Sequence, residues 1–306
     1  MLGAMSADLL RHELLVHGSD GEFAQRIVPF LQAGIDDGET VLAVAGEDEH
    51  ALLQDLLGRD REHVTLVDHD SVYTRPEAAV AHYDRTLRGL RRDGATGVRA
   101  VAVLPACETV GAWERWIAYE AIVNRALAHH DAWIVCAYDT RVVHGEVVQE
   151  MRRTHPQEGG CACHGYEDPA AVVRALTTPE PEPLAQLRTL PSAADAPELR
   201  MQLSAVMSEA GVGRERISEM LLAATEVFTN AGRHGRGLRT VRTGLVGERF
   251  VCEIGDRGPG LDDPFAGHLP PRDGDLGGFG LWVARQTAER VELLTTPAGL
   301  TVRLWI

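Results

Sequence analysis

From residue 13 to residue 176, short apolar runs rich in β-branched residues alternate with longer segments of helical period, and few folds accept that order. The runs cover residues 13–17, 40–46, 63–67, 98–105 and 133–138. Between them apolar residues return at helical spacing, as at Phe23, Ile27, Phe30 and Leu31, or Trp113, Trp116, Ile117 and Leu127. Buried strands separated by helices imply a parallel sheet covered on both faces. Ser19-Asp20-Gly21-Glu22 reads as a capping box that opens the first helix. The expectation for residues 8–177 is therefore a three-layer α/β domain.

The alternation stops at Thr177-Thr178-Pro179-Glu180-Pro181-Glu182-Pro183, and Pro191 and Pro197 follow. Proline fixes φ and removes donors, so residues 178–195 read as an extended linker. From residue 196 the order of elements changes. Two helical segments, 196–210 and 214–232, precede two strands joined at Gly247-Glu248. A glycine-rich loop, a helix over 279–289 and a strand pair around Pro297-Ala298-Gly299 complete the chain. Helices leading into hairpin-paired strands predict a two-layer α+β sandwich on a mainly antiparallel sheet.

The chain has 306 residues and a formal net charge of −15, with 44% hydrophobic and 25% charged residues. That length suits two domains. So acidic a chain repels nucleic acid and anionic lipid unless it carries a basic patch, and Arg91-Arg92 and Arg152-Arg153 both sit near carboxylates. The apolar runs are far too short to span a bilayer, and the first residues lack the pattern of a secretory signal, so a cytoplasmic location is expected. Five scattered cysteines in such a chain suggest reduced thiols.

Three motifs in the second half carry chemistry. In Glu226-Val-Phe-Thr-Asn230-Ala-Gly-Arg-His234, the residues Glu226, Asn230 and His234 fall on one helical stripe, while Ile217, Met220, Leu221, Ala224 and Phe228 form an apolar stripe opposite. A carboxylate and a carboxamide on one exposed face can hold a hard cation beside phosphate oxygens. Asp256-Arg257-Gly258-Pro259-Gly260 follows an apolar strand, where a carboxylate can accept a hydrogen bond from an exocyclic amine. Gly277-Gly278-Phe279-Gly280-Leu281 leads into a helix whose amides suit an anionic phosphate chain. Each motif alone is a common turn or helix start; three in this order point to a nucleotide.

These residues resemble the N, G1 and G2 boxes of the GHKL ATPase superfamily, and are most similar to its anti-sigma-factor serine kinases, whose N box reads Glu-x-x-x-Asn-Ala-x-x-His-Gly. The resemblance spans residues 196–306. It implies ATP and Mg²⁺ as cofactors, with Asn230 on Mg²⁺ and Asp256 on the adenine amine. His234, Gly258, Gly260, Gly278, Gly280 and Leu281 would shape the pocket, and Glu226 would be the general base for an attacking hydroxyl. Residues 261–276 would form a short lid. The helix over 196–210 contains no histidine, so autophosphorylation as a histidine kinase lacks its acceptor. Gly232 departs from a strong helix former two positions after Asn230 and loosens the geometry of His234.

The first half is similar to the MEDS-type sensory domain, a RecA-like α/β module. The resemblance lies in His12-Glu13, Tyr119-Glu120-Ala-Ile-Val-Asn124, Cys136-Ala-Tyr138-Asp139 and Thr154-His155-Pro156. The first loop, His17-Gly-Ser-Asp-Gly-Glu22, lacks the phosphate-binding pattern of a P-loop, so no ATP hydrolysis is expected here. Glu120 and Asn124 share a helical face with Trp113 and Ile117. Close to Cys136, and with Tyr138 and Asp139, they could line a sensory pocket for a small-molecule signal, or form a satisfied boundary network. Cys161-Ala-Cys163-His164 could hold a metal with His155, although Cys-x-Cys is tight for zinc and a plain surface loop accounts for it as well. His129-His130 at a helix end suits solvent and the helix dipole.

The expected whole is a signalling regulator in which a sensory domain controls an ATP-dependent protein serine/threonine kinase. By resemblance, its partners would be a sigma factor or that factor's antagonist, a STAS-type protein, and the module would dimerise. Two alternatives use the same motifs: an ATP-binding switch that sequesters a partner without catalysis, and a split histidine kinase with its acceptor on another protein.

Overall fold

The computed structural model describes residues 9–107, 110–177, 184–269 and 279–306. The chain divides into two compact units, residues up to Val172 and Val173–Ile306.

The first unit begins with β1 (Arg11–His17), α1 (Asp20–Asp36), β2 (Thr40–Ala45) and α2 (Glu47–Leu57). A 3₁₀ turn (Gly58–His63) leads to β3 (Val64–Asp68), α3 (His69–Val72), α4 (Pro76–Arg92) and β4 (Val98–Val103). Then come α5 (Val110–Ala126), β5 (Ala132–Asp139), α6 (Gly145–Thr154), a small hairpin of β6 (Gln157–Glu158) and β7 (Cys161–Ala162), and α7 (Pro169–Thr177), which crosses into the second unit. The sheet order is β3-β2-β4-β5-β1-β6-β7. Every pairing except β6–β7 is parallel, as unbroken apolar strands separated by helices require.

Alternation along the strands sorts residues between the two faces. Val101, Val135 and Ala137 pack with Phe23, Ile27, Phe30 and Leu31 of α1 and Leu53 and Leu57 of α2. Cys136 and Tyr138, one position out of phase, face Glu120 of α5 on the other side. Helix α1 starts at the expected place: Ser19 caps it by accepting from Glu22 N–H at 3.2 Å. Glu22 reaches one residue further back than a capping box demands, accepting from Gly18 N–H at 2.7 Å. A carboxylate of the chain itself therefore occupies an amide of the first strand-to-helix loop.

The second unit contains β8 (Arg188–Thr189), α8 (Ala196–Glu209), α9 (Arg214–Arg233), β9 (Leu238–Val246) and β10 (Arg249–Asp256), followed by α10 (Phe279–Thr287), β11 (Arg290–Thr296) and β12 (Gly299–Trp305). Its sheet is antiparallel throughout, in the order β11-β12-β10-β9-β8. Leu199, Leu203 and Met207 of α8, Met220, Ala223 and Ala224 of α9, and Ala284 of α10 cover one face of it, against Val241, Cys252, Ile254, Val302 and Leu304. Burying a single such side chain stabilises by about 1.5–3 kcal/mol, so this face accounts for the layer. Ile217, Leu221 and Phe228 flank the core, completing the predicted apolar stripe of α9.

The second part of the expected linker belongs to this unit. Leu184 and Leu187 are buried against Val251, and Arg188–Thr189 adds an edge strand to β9. The proline-rich composition hid this, because only two residues pair. Residues 178–183 lie outside the described residues. Among the described residues, no helix is long and apolar enough to cross a membrane.

Candidate functional site

In the second unit, helix α9 presents Glu226 and Asn230 one turn apart, both half-buried, with the apolar stripe turned to the core. The helix ends at Arg233, and His234 is its exposed C-cap. The chain then reverses through Arg236 and Gly237, both at positive φ, and Gly237 N–H returns to Ala231 O at 3.0 Å. This reversal brings Gly235 onto Asp256. A Cβ at Gly235 would lie 2.4 Å from Asp256 Oδ2, so a side chain there would displace the carboxylate.

Asp256 closes β10 at a register irregularity, where it faces Leu238 after Gly255 has faced Thr240. Such a bulge re-aims a side chain at a strand end. Asp256 is 8% exposed, and its Oδ1 accepts from Gly258 N–H at 2.8 Å and Leu300 N–H at 3.0 Å. Two backbone amides thus fix the carboxylate.

The third piece is the start of α10. A Cβ on Gly280 would fall 2.4 Å from Asn230 Nδ2, so the helix start and the Asn230 carboxamide touch only because position 280 has no side chain. Leu281 packs against the core, and Gly278 lies outside the described residues. Gly260 stands beside Thr295, and the neighbouring Leu261 N–H donates to Thr295 Oγ1 at 3.1 Å. Of the expected lid, residues 261–269 are held in place: Phe265 and His268 are buried, and Arg285 Nε donates to Ala266 O at 3.1 Å. Burial and the nearby Arg285 hold the His268 imidazole well below its ordinary value. The rest of the lid lies outside the described residues.

In the first unit the expected sensory residues divide. Glu120, Asn124 and Tyr138 meet in the interior: Tyr138 Oη donates to Glu120 Oε1 at 2.6 Å, and Asn124 Nδ2 donates to Glu120 O at 3.0 Å and Thr154 O at 2.7 Å. Asp139, the next residue on β5, points away and forms a surface ion pair with Arg141 at 2.6 Å, so it takes no part. Cys136 joins them, together with two residues outside the expected pocket, His12 and His155. His12 Nε2 lies 3.1 Å from Glu120 Oε2 and 3.3 Å from Cys136 Sγ, and the His155 ring stacks on His12 at 4.1 Å. All six side chains except Asn124 are buried. Burial is the largest single influence and raises the Glu120 carboxyl, but His12, His155 and Tyr138 together outweigh it and the group stays below the usual carboxylate range. Burial pushes the Cys136 thiol up, and Glu120 adds to the effect. His155 is lowered to about 3, by burial first and His12 second.

His155 therefore belongs to this buried group, apart from Cys161-Ala-Cys163-His164. Cys161 and His164 are exposed, and Cys163 Sγ lies 3.3 Å from Arg152 O. His130 also departs from expectation, being buried with Nε2 3.0 Å from Asp84 Oδ1.

Residues 11–156 match the family model of the methanogen/methylotroph, DcmR sensory domain (MEDS), and residues 190–306 match that of the histidine kinase-like ATPase domain. The chain is a MEDS domain followed by a GHKL-like ATPase domain. The structure of the RsbU and RsbW domains of Rv1364c from Mycobacterium tuberculosis is similar over 41% of this chain and 32% of that one, at 21% identity and a TM-score of 0.29. The match spans about a third of that chain. No curated protein matched. The ATPase domain implies a nucleotide ligand.

Proposed function

We propose that the ATPase domain binds Mg·ATP and phosphorylates a serine or threonine of a partner protein under control of the MEDS domain. The observation that carries this reading is the direct contact of three motifs with one another. Asn230 touches the α10 start at Gly280, and Asp256 is locked against Gly235, which directly follows the Asn230 helix. Glycines that let backbone close onto a carboxamide and a fixed carboxylate, beside a helix start, suit a nucleotide with its cation.

Bound Mg·ATP would supply the phosphoryl group and the charge that neutralises it. Asp256 has one oxygen spent on backbone amides, and its other oxygen would accept from the adenine amine, reading base rather than phosphate. Asn230 would orient the cation through its carbonyl oxygen. The amides at the start of α10 would face the phosphates. Glu226, a turn before Asn230, would take the proton of an incoming hydroxyl, and positioning would provide most of the acceleration. Helix α8 has no histidine, which favours an acceptor on another protein. A STAS-type antagonist of a sigma factor is the partner class this reading favours.

Calorimetry with and without Mg²⁺ on wild type, Asn230→Ala and Asp256→Asn tests the site, and incubation with labelled ATP and candidate antagonists tests the transfer. Mg-dependent binding lost in both variants, followed by acid-stable label on the antagonist, supports the proposal. Binding without any transfer would make the domain a nucleotide-gated sequestering module, and acid-labile label would make it a split histidine kinase.

A further inference from the structure

Four side chains capable of binding a metal converge inside the MEDS domain from four different elements. His12 comes from β1, Glu120 from α5, Cys136 from β5, and His155 from the residue that ends α6. Each is at most 3% exposed, and one donor atom of each lies within 4.8 Å of all the others.

Four of the six edges of this group fall within a few tenths of an ångström of those of a coordination tetrahedron, and the other two are at most 4.8 Å. His12 Nε2–Glu120 Oε2 is 3.1 Å, His12 Nε2–Cys136 Sγ 3.3 Å, His155 Nε2–Glu120 Oε2 3.6 Å and Cys136 Sγ–Glu120 Oε2 3.8 Å. Zinc bonds of about 2.0–2.1 Å to nitrogen or oxygen and about 2.3 Å to sulfur give tetrahedral edges of roughly 3.3–3.6 Å.

Hydrogen bonding to the outer nitrogens fixes how both rings point. Asn124 Nδ2 gives its protons to two backbone carbonyls, Glu120 O and Thr154 O, so its Oδ1 is the acceptor that meets His12 Nδ1 at 3.1 Å. His155 Nδ1 lies 2.8 Å from Met151 O, an acceptor only, and 3.0 Å from Thr154 Oγ1, whose own proton goes to the same carbonyl. Both rings thus carry their proton on Nδ1 and turn Nε2 inward. At His155 this leaves Nε2 buried, without a hydrogen-bond partner, facing a carboxylate oxygen. A lone pair held against an anionic oxygen in a dry interior is costly unless a cation stands between them. An imidazole with Nδ1–H on a backbone carbonyl or side-chain oxygen and Nε2 free is the usual outer shell of a metal-binding histidine.

We propose that the MEDS domain binds one divalent transition-metal ion of the zinc class through His12 Nε2, Glu120 Oε2, Cys136 Sγ and His155 Nε2. As the sulfur–metal bond forms, the Cys136 thiol proton leaves to water. The thiolate and the carboxylate then balance the two charges of the ion. Tyr138 keeps the other Glu120 oxygen occupied through its 2.6 Å hydrogen bond, so the carboxylate binds through one atom. Four protein ligands close the site, and the ion ties β1 and β5 to α5 and the end of α6. Because the cluster is fully buried, the ion is taken up during folding or through a transient opening.

The test uses the full chain produced in zinc-supplemented medium, and a second sample stripped with chelator under mild denaturant and refolded with Zn²⁺ or Co²⁺. The expected result is one zinc per chain after gel filtration and, with cobalt, a thiolate-to-metal charge-transfer band. Cys136→Ser abolishes that band and lowers zinc retention at least tenfold. Asn124→Ala, which removes the partner of His12 Nδ1 but no metal ligand, weakens binding about 10–100-fold. The double variant Cys161→Ser/Cys163→Ser leaves stoichiometry and band unchanged. Wild type that carries no zinc above buffer level after both preparations overturns the proposal. So does a cobalt spectrum without the sulfur band, a readout that needs no variant to fold. Binding lost in the Cys161/Cys163 variant but retained in Cys136→Ser would place the metal on the surface loop and overturn it equally.

Discussion

Asn230 Nδ2 stands where a Cβ on Gly280 would come within 2.4 Å of it. The obstacle is the end of a side chain, which can rotate away, so Gly280→Ala leaves the fold intact and moves Asn230 out of position. The expected outcome is a thermal midpoint close to wild type together with at least a tenfold loss of Mg-dependent ATP affinity. Calorimetry and a melting curve on the same preparation check it. A large fall in the midpoint would show that position 280 matters for packing rather than for the site.

Glu226 sits one turn before Asn230 on the half-buried side of α9. Glu226→Gln keeps shape and hydrogen bonding but cannot accept a proton. ATP binding is expected to change less than threefold, while phosphoryl transfer to the partner slows about 10²–10⁴-fold, the usual contribution of a general base. Single-turnover transfer with labelled ATP measures it. An unchanged rate would remove Glu226 from the chemistry.

Much of this was legible from the chain. The strands of the MEDS domain were visible as apolar runs because a strand buried on both faces cannot hide polar residues. One exception was the α5 face of β1 and β5, where His12 and Cys136 are buried because they meet Glu120 and His155. Each of those four residues lay in a separate motif, and only the parallel pairing of β1 with β5, under α5 and α6, brings them together. Asp139 shows the opposite error: adjacent to Tyr138 in sequence, it projects from the other face of the strand, as period-two geometry dictates. His130 was read as solvated because its partner, Asp84, is remote in sequence. The bulge at Gly255/Asp256 that aims Asp256 had no signal beyond the glycine itself.

Asp84 carries an acid-dependent share of MEDS-domain stability. Burial raises its carboxyl, yet the hydrogen bond from His130 at 3.0 Å and the pairing with Arg88 at 3.0 Å outweigh burial and set it below its ordinary value. A carboxyl depressed on folding stabilises above its unfolded pKa of about 4, and that contribution is lost as pH falls through the folded value. Asp84→Asn should therefore lower stability at pH 7 by about 1–3 kcal/mol. The difference from wild type should shrink as the pH falls below about 4. Urea unfolding of both proteins across that range checks it, and a difference independent of pH would assign the loss to packing.

Arg303 holds two buried carboxylates on neighbouring strands. On β12 it stands opposite Glu253 of β10 and Glu292 of β11, with nitrogen–oxygen distances of 2.7 Å and 3.0 Å. Arg242 on β9 adds a 3.0 Å pair to Glu253, so charges of alternating sign cross the sheet in register, on the face away from the helices. Removing the central cation strips each buried acid of one partner, leaving Glu253 with only Arg242 and Glu292 with only Arg290, both of which reach in from more exposed positions. Arg303→Met should therefore cost about 3–5 kcal/mol, more than any single surface pair could. If under-compensated acid charge is the cause, adding Glu253→Gln and Glu292→Gln restores part of the loss, since the amides carry no charge and still hydrogen-bond to Arg242 and Arg290 at the edges of the group. If lost packing is the cause, the triple variant is no more stable than Arg303→Met. Urea midpoints of the three proteins at neutral pH separate the two outcomes.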